Sequence, residues 1–150
     1  MELLNINWIA VFVASITSFA IGAVWFGPKT FYPTWIRAMG REVPTERVEM
    51  SGAETALMFG GTYIAALVQV VSLATVFAFA RSTGGVIDAG SGALIGFGLA
   101  VGFGAFASVS HRMFGQADFK VFRSLKVWII EVGQDIVALV VAGAILGAWV

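Results

Sequence analysis

The chain has no cysteine and a single histidine, and only 12% of its residues are charged. Without cysteine there are no disulfides, thiolate metal sites, iron–sulfur clusters or covalently attached c-type haem. His111 has no second histidine with which to build a metal site, so it reads as an interfacial residue at the end of a helix. Nine basic residues balance nine acidic ones. That leaves no overall basic field to attract nucleic acid. The most telling absence is positional. Four apolar runs, Trp8–Phe26, Ala56–Ala80, Gly92–Ser110 and Val127–Trp149, contain no Lys or Arg at all.

Apolar residues make up 59% of the chain, and its charged fraction is half the roughly 25% of a soluble domain. A hydrocarbon layer about 30 Å thick needs about 20 residues of apolar helix to cross it, and each run has that length. Backbone polar groups in lipid must be satisfied within the segment, and runs this long are helices, not barrel strands. The expected fold is therefore all-α: one polytopic domain, a bundle of four transmembrane helices over about residues 8–26, 56–80, 92–110 and 127–149. Glu2 is the only charge before Trp8, so no basic region precedes the first run. That favours a retained span over a cleaved signal.

Eight of the nine basic residues lie in two loops: Lys29, Arg37, Arg41 and Arg47, then Arg112, Lys120, Arg123 and Lys126. Only Arg81 falls on the other side. Basic loops stay cytoplasmic, which places both termini outside, in a membrane expected to be the bacterial plasma membrane. Trp8 and Trp149 then mark the outer interface, and Trp25, Trp35 and Trp128 the inner one. In the first loop Tyr32, Trp35, Ile36 and Met39 recur at helical spacing beside Arg37 and Arg41. This is a short amphipathic segment that docks either on the headgroup layer or on protein. Phe119, Phe122 and Leu125 form a similar pattern in the third loop. Ser51-Gly52-Ala53-Glu54 has the form of a capping box.

Small residues recur at helix-packing intervals. Gly92/Gly96 and Gly98/Gly102 lie in the third run, Ala14, Ser18 and Gly22 in the first, and Gly143 and Gly147 in the fourth. Such stripes let helix backbones approach closely where lipid offers no hydrophobic drive to associate. They serve packing within the chain or seat a neighbouring subunit. Gly96-Phe97-Gly98 follows no strand and is not a dinucleotide fingerprint.

The chemical candidate is the fourth run, where Glu131, Gln134 and Asp135 share one face and Gly133, Gly143 and Gly147 lie opposite. Asp135 falls within about 5 Å of the run's midpoint at a rise of ~1.5 Å per residue. A carboxyl at that depth faces protein or water rather than lipid. Gln69, in the second run near Tyr63 and Ser72, is a possible partner. Three roles compete for this stripe. Glu131 pairs with Lys126, Arg123 or Arg112 while Asp135 acts as interhelical glue, or the acids carry protons or a cation, or the stripe meets another membrane protein.

Ile6-Asn7-Trp8, Gly22-Ala23-Val24-Trp25-Phe26-Gly27-Pro28, Trp35…Met39-Gly40 and the closing Gly143-Ala144-Ile145-Leu146-Gly147-Ala148-Trp149 add a further signal. Together they resemble domain-of-unknown-function family 1761, small prokaryotic membrane proteins with four spans. The resemblance covers nearly the whole chain, departs from the family pattern at Gln134-Asp135 (often Tyr-His in members), and implies topology without activity or cofactor. Two function classes follow. The first is a structural or accessory subunit bound to other membrane proteins or to copies of itself. The second is a small oligomeric proton- or cation-coupled transporter or channel using Asp135 and Glu131. An enzyme ranks last, because no nucleophile–base pair, metal cluster or phosphate loop is visible.

Overall fold

The computed structural model describes residues 5–44, 46, 49–114 and 120–149. Arg47 and Phe119 lie outside the described residues. Long helices begin where a side chain can accept from the free N–H groups of a first turn. Asn7 Oδ1 accepts from the backbone of Ile9 and Ala10, both at 3.1 Å, and opens α1 (Trp8–Trp25). Ser51 and Glu54 close the expected capping box at the start of α3 (Gly52–Ser82). Asp88 and Ser91 form a second such box at the start of α4 (Ala89–Leu99). Between the long helices lie α2 (Tyr32–Ala38) and α5 (Val109–Phe114), and α6 (Val121–Ala148) closes the chain.

All regular structure among the described residues is helical. Among the described residues, four segments are long and apolar enough to cross a membrane: Trp8–Trp25, Gly52–Ser82, Ala89–Phe106 and Val121–Ala148. The bounds shift from expectation by up to six residues: the second span begins at Gly52 rather than Ala56, and two other shifts have structural causes. The third run ends at Phe106 rather than Ser110, because α4 widens into a π-helical segment, Ala100–Phe106, and then turns at Ala107–Ser108. The fourth helix begins at Val121 rather than Val127, so Arg123 and Lys126 ride on its first turns instead of a loop. At the other end of the bundle α3 stops in a Schellman turn. Gly84 takes φ 86°, Gly85 N–H donates to Ala80 O and Gly84 N–H to Arg81 O.

Helix α6 is the hub of the bundle: α1, α3, α4, the π segment, α5 and α2 all pack on it, and α3 also packs on α1. The apolar core is built from Val11 and Ala14 of α1, Val70, Leu73 and Phe77 of α3, and Ala142 and Leu146 of α6. These residues sit toward the end that carries Arg81. No residue of α3 before Val70 is buried, so its first half leaves the bundle toward the basic end. There Tyr63 is its anchor to α1, through a 3.3 Å hydrogen bond with Ser15 and an edge-on contact with Phe19.

Candidate functional site

Glycine decides how α4 and α6 meet. A Cβ on Gly92 would run into the carbonyl oxygen of Gly143, one on Gly96 into that of Leu139, and one on Gly147 into that of Asp88. Only glycine permits this backbone-on-backbone crossing. Gly98 and Gly102, read from sequence as part of the same stripe, have nothing within 4 Å and face outward. The packing pairs thus divide into one used pair and one open pair. On α1, Ser18 is buried, and Gly22 lies under the Gln134 side chain, where a Cβ would stand 3.5 Å from Nε2.

At the basic end polar pins replace the apolar core. Arg112, on α5, spans the two acids of α6: Nη2 lies 2.7 Å from Asp135 Oδ2 and Nε 3.6 Å from Glu131 Oε2. The other Glu131 oxygen accepts from Trp35 Nε1 at 3.0 Å. The three charged side chains are 19–26% exposed, so the cluster is partly sheltered. Of the basic residues proposed for Glu131, the structure selects Arg112, drawn in to the level of Asp135. Asp135 is itself ion-paired, not a solitary hydrogen-bonding group. Gln134 lies on the α1 side of the helix and Gly133 under the Trp25 ring, 3.0 Å from it if given a Cβ. The face opposite the acids therefore serves two neighbours, with Gly133 against α1 and Gly143 and Gly147 against α4.

Gln69 does not join this cluster. Helix α3 packs through Val70, Leu73, Ala74, Phe77 and Ala78, and Gln69 is turned to its exposed side. An apolar groove of about 440 Å³ beside α1, lined by Thr17, Ile21, Val24, Trp25 and Phe31 among others, has no ionisable wall. The charged cluster does not open into it.

The tryptophans expected at the inner interface are structural pins. Trp25 Nε1 donates to Ile130 O at 2.9 Å, Trp128 Nε1 to Ala105 O in the π segment at 3.2 Å, and Trp35 Nε1 to Glu131. Trp35 also packs on Phe26 and Tyr32, and Ile36 is buried. The amphipathic α2 therefore turns its aromatic side to protein, leaving Arg37 and Arg41 exposed. The Arg37 carbonyl accepts from Arg123 Nη2 at 3.3 Å, beside Gly40. Trp8 and Trp149 remain exposed, at 61% and 42%. At that far end Arg81 Nη2 donates to Ile87 O at 3.2 Å and Leu146 O at 3.3 Å, tying α3 to the last turns of α6. Its helix-end position was the available signal for that role, since cations favour helix C-termini.

No curated protein and no solved structure matches the chain. The family model described as Protein of unknown function (DUF1761) matches residues 9–147, and with four membrane-length helices behind that match the chain belongs to this family.

Proposed function

We propose that this membrane protein is a structural or accessory subunit that assembles with other membrane proteins, rather than a carrier of ions. The observation that carries the reading is the closure of the acidic face within the chain. Arg112 occupies both carboxylates of α6, and Trp35 takes the remaining near oxygen of Glu131. A transported cation would meet a carboxylate already neutralised by a guanidinium 2.7 Å from Asp135 Oδ2, and a transported proton would have to compete with that charge-assisted hydrogen bond. Buried ionic groups used this way hold elements in register, and here they fix α5 and α2 against α6. The rest of the bundle is equally occupied: Val11, Leu73, Phe77, Ala142 and Leu146 fill its centre. What stays unoccupied is an outer surface, the first half of α3 and the outward glycines of α4.

In this reading the basic end is cytoplasmic, both termini face outward and the host membrane is a prokaryotic plasma membrane. Single cysteines at Glu42 and Val86, introduced into the cysteine-free chain, should label from opposite sides. Function is tested by isolating the tagged chain from its native membrane in mild detergent and measuring the native mass. A stoichiometric assembly larger than one chain is expected. A solitary chain whose reconstituted vesicles pass ions, with the flux lost in Asp135→Asn, would overturn the reading in favour of transport.

A further inference from the structure

Helix α3 carries a second, unused face. Thr62, Ala65, Gln69, Ser72, Val76 and Phe79 are all exposed and follow one another at alternating intervals of three and four residues. That is the a/d seam of a left-handed helix pair. It lies well around the helix from the buried set centred on Val70, Leu73 and Phe77. The hydroxyls along the outward side are satisfied at home: Thr62 donates to Met58 O, Ser72 to Val68 O and Thr75 to Val71 O, at 2.7–2.8 Å. Gln69 differs. Its amide makes no hydrogen bond with any described residue, and it stands near the middle of a 31-residue helix. From there a glutamine is too short to reach either interface, at ~1.5 Å of rise per residue. A primary amide left in hydrocarbon without partners is costly, so the fold leaves a polar debt on its outer surface.

We propose that a second copy of this chain covers this face, pairing α3 with α3 about a two-fold axis and Gln69 with its counterpart. The proposal deepens the assembly reading, on which it rests, by naming one partner. Two copies inserted with the same orientation run parallel, so each seam residue meets itself. Glutamine suits that symmetry because its amide both donates and accepts, and each copy can donate to the other. A single polar residue at an a position also fixes register and favours a defined pair. Nothing opposes the approach: from Thr55 to Ala80 the helix has no charged residue, so no like charges are brought together. Ala65 and Ser72, on either side of Gln69, are small enough to let the backbones close.

The test uses the full chain in its membrane, which contains no native cysteine. Ala65→Cys and Ser72→Cys keep Gln69 and should cross-link on oxidation. Ile64→Cys and Leu94→Cys, exposed but off the seam, should not. Gln69→Leu, added to the Ser72→Cys chain, should weaken the dimer about tenfold or more, as the loss of two interhelical hydrogen bonds in a membrane implies. Leucine at an exposed apolar position does not threaten the fold, and an unchanged thermal transition would confirm that. Cross-linking equal at all four positions, or a dimer indifferent to Gln69→Leu, would overturn the proposal. A single copy found inside a complex of other proteins would also overturn it while leaving the accessory reading intact. A chain that purifies alone as a monomer would refute both.

Discussion

Two glycines two residues apart on one helix should respond oppositely to the same added methyl group. At Gly96 a Cβ would overlap the Leu139 carbonyl oxygen and stand 2.9 Å from its carbon and 3.4 Å from Val140 Cα. All three atoms are backbone of α6, so no side-chain rotation relieves the clash and the helices must part. Parting at Gly96 also loosens the neighbouring contacts of Gly92 on Gly143 and of Gly147 on Asp88. Overpacking of a close interface costs about 1–3 kcal/mol, and here, with rigid backbone on both sides, the upper end applies. Alanine returns ~1 kcal/mol of helix propensity, so Gly96→Ala should destabilise by about 2 kcal/mol. Gly98 has nothing within 4 Å, and Gly98→Ala should be neutral or stabilising by up to ~1 kcal/mol. The contrast of about 2–3 kcal/mol is well within reach of detergent-titrated unfolding followed by tryptophan fluorescence. Equal stability of the two variants, or a Gly98→Ala loss as large as that of Gly96→Ala, would refute the assignment of the α4–α6 crossing.

Arg112→Gln strips two carboxylates of their cation; with the cluster still a fifth to a quarter exposed, the loss should be about 2–3 kcal/mol in the same unfolding assay. Adding Asp135→Asn to that chain should recover part of it, which a double-mutant cycle reads directly. Trp35→Phe keeps the ring but removes the donor to Glu131 and should cost ~1 kcal/mol, with α2 becoming more open to proteolysis. The Ser91 backbone N–H, and then its hydroxyl, hold the Asp88 carboxylate below its ordinary range. That cap is therefore fully effective above the unfolded pKa of about 3.9 and fades as the pH falls through the lower folded value. Protection of the first amides of α4, taken as hydrogen exchange relative to the intrinsic rate at each pH, should fall in acid, and that fall should vanish in Asp88→Asn.

The spans were legible because lipid imposes one rule on every residue of a crossing helix, and the absence of Lys and Arg from four runs records it. The cap of α3 was legible for a related reason: Ser51 and Glu54 act on backbone groups three residues away, so their spacing marks the box, whereas the Asn7 cap and the Asp88–Ser91 box emerge only with the structure. The π segment was not legible. It arises where Trp128 and the α6 surface meet Ala105, and nothing local in Ala100–Phe106 records that contact. The glycine stripe shows the same limit. Gly92/Gly96 and Gly98/Gly102 have identical spacing, and only the direction of α6 tells the used pair from the open one.

Tryptophan was a signal that admits two readings, for a physical reason. An indole seeks an apolar surface with one hydrogen-bond acceptor at its edge, and a membrane interface supplies both. The inside of a packed helix bundle supplies them equally well, through the second lone pair of a helix carbonyl, a carboxylate oxygen or a carbonyl of a π segment. Trp25, Trp35 and Trp128 satisfy that chemical demand within the chain, with Ile130, Glu131 and Ala105 as the acceptors. The sequence therefore places them at or near the ends of apolar runs without saying which surroundings their rings face. The consequence is concentrated at the basic end, where indoles and one arginine do what Val11, Leu73, Phe77 and Leu146 do at the other. An apolar core tolerates repacking, whereas each indole bond has a single acceptor. The basic end is thus held by directional bonds with fixed partners, and the opposite end by apolar packing that can adjust.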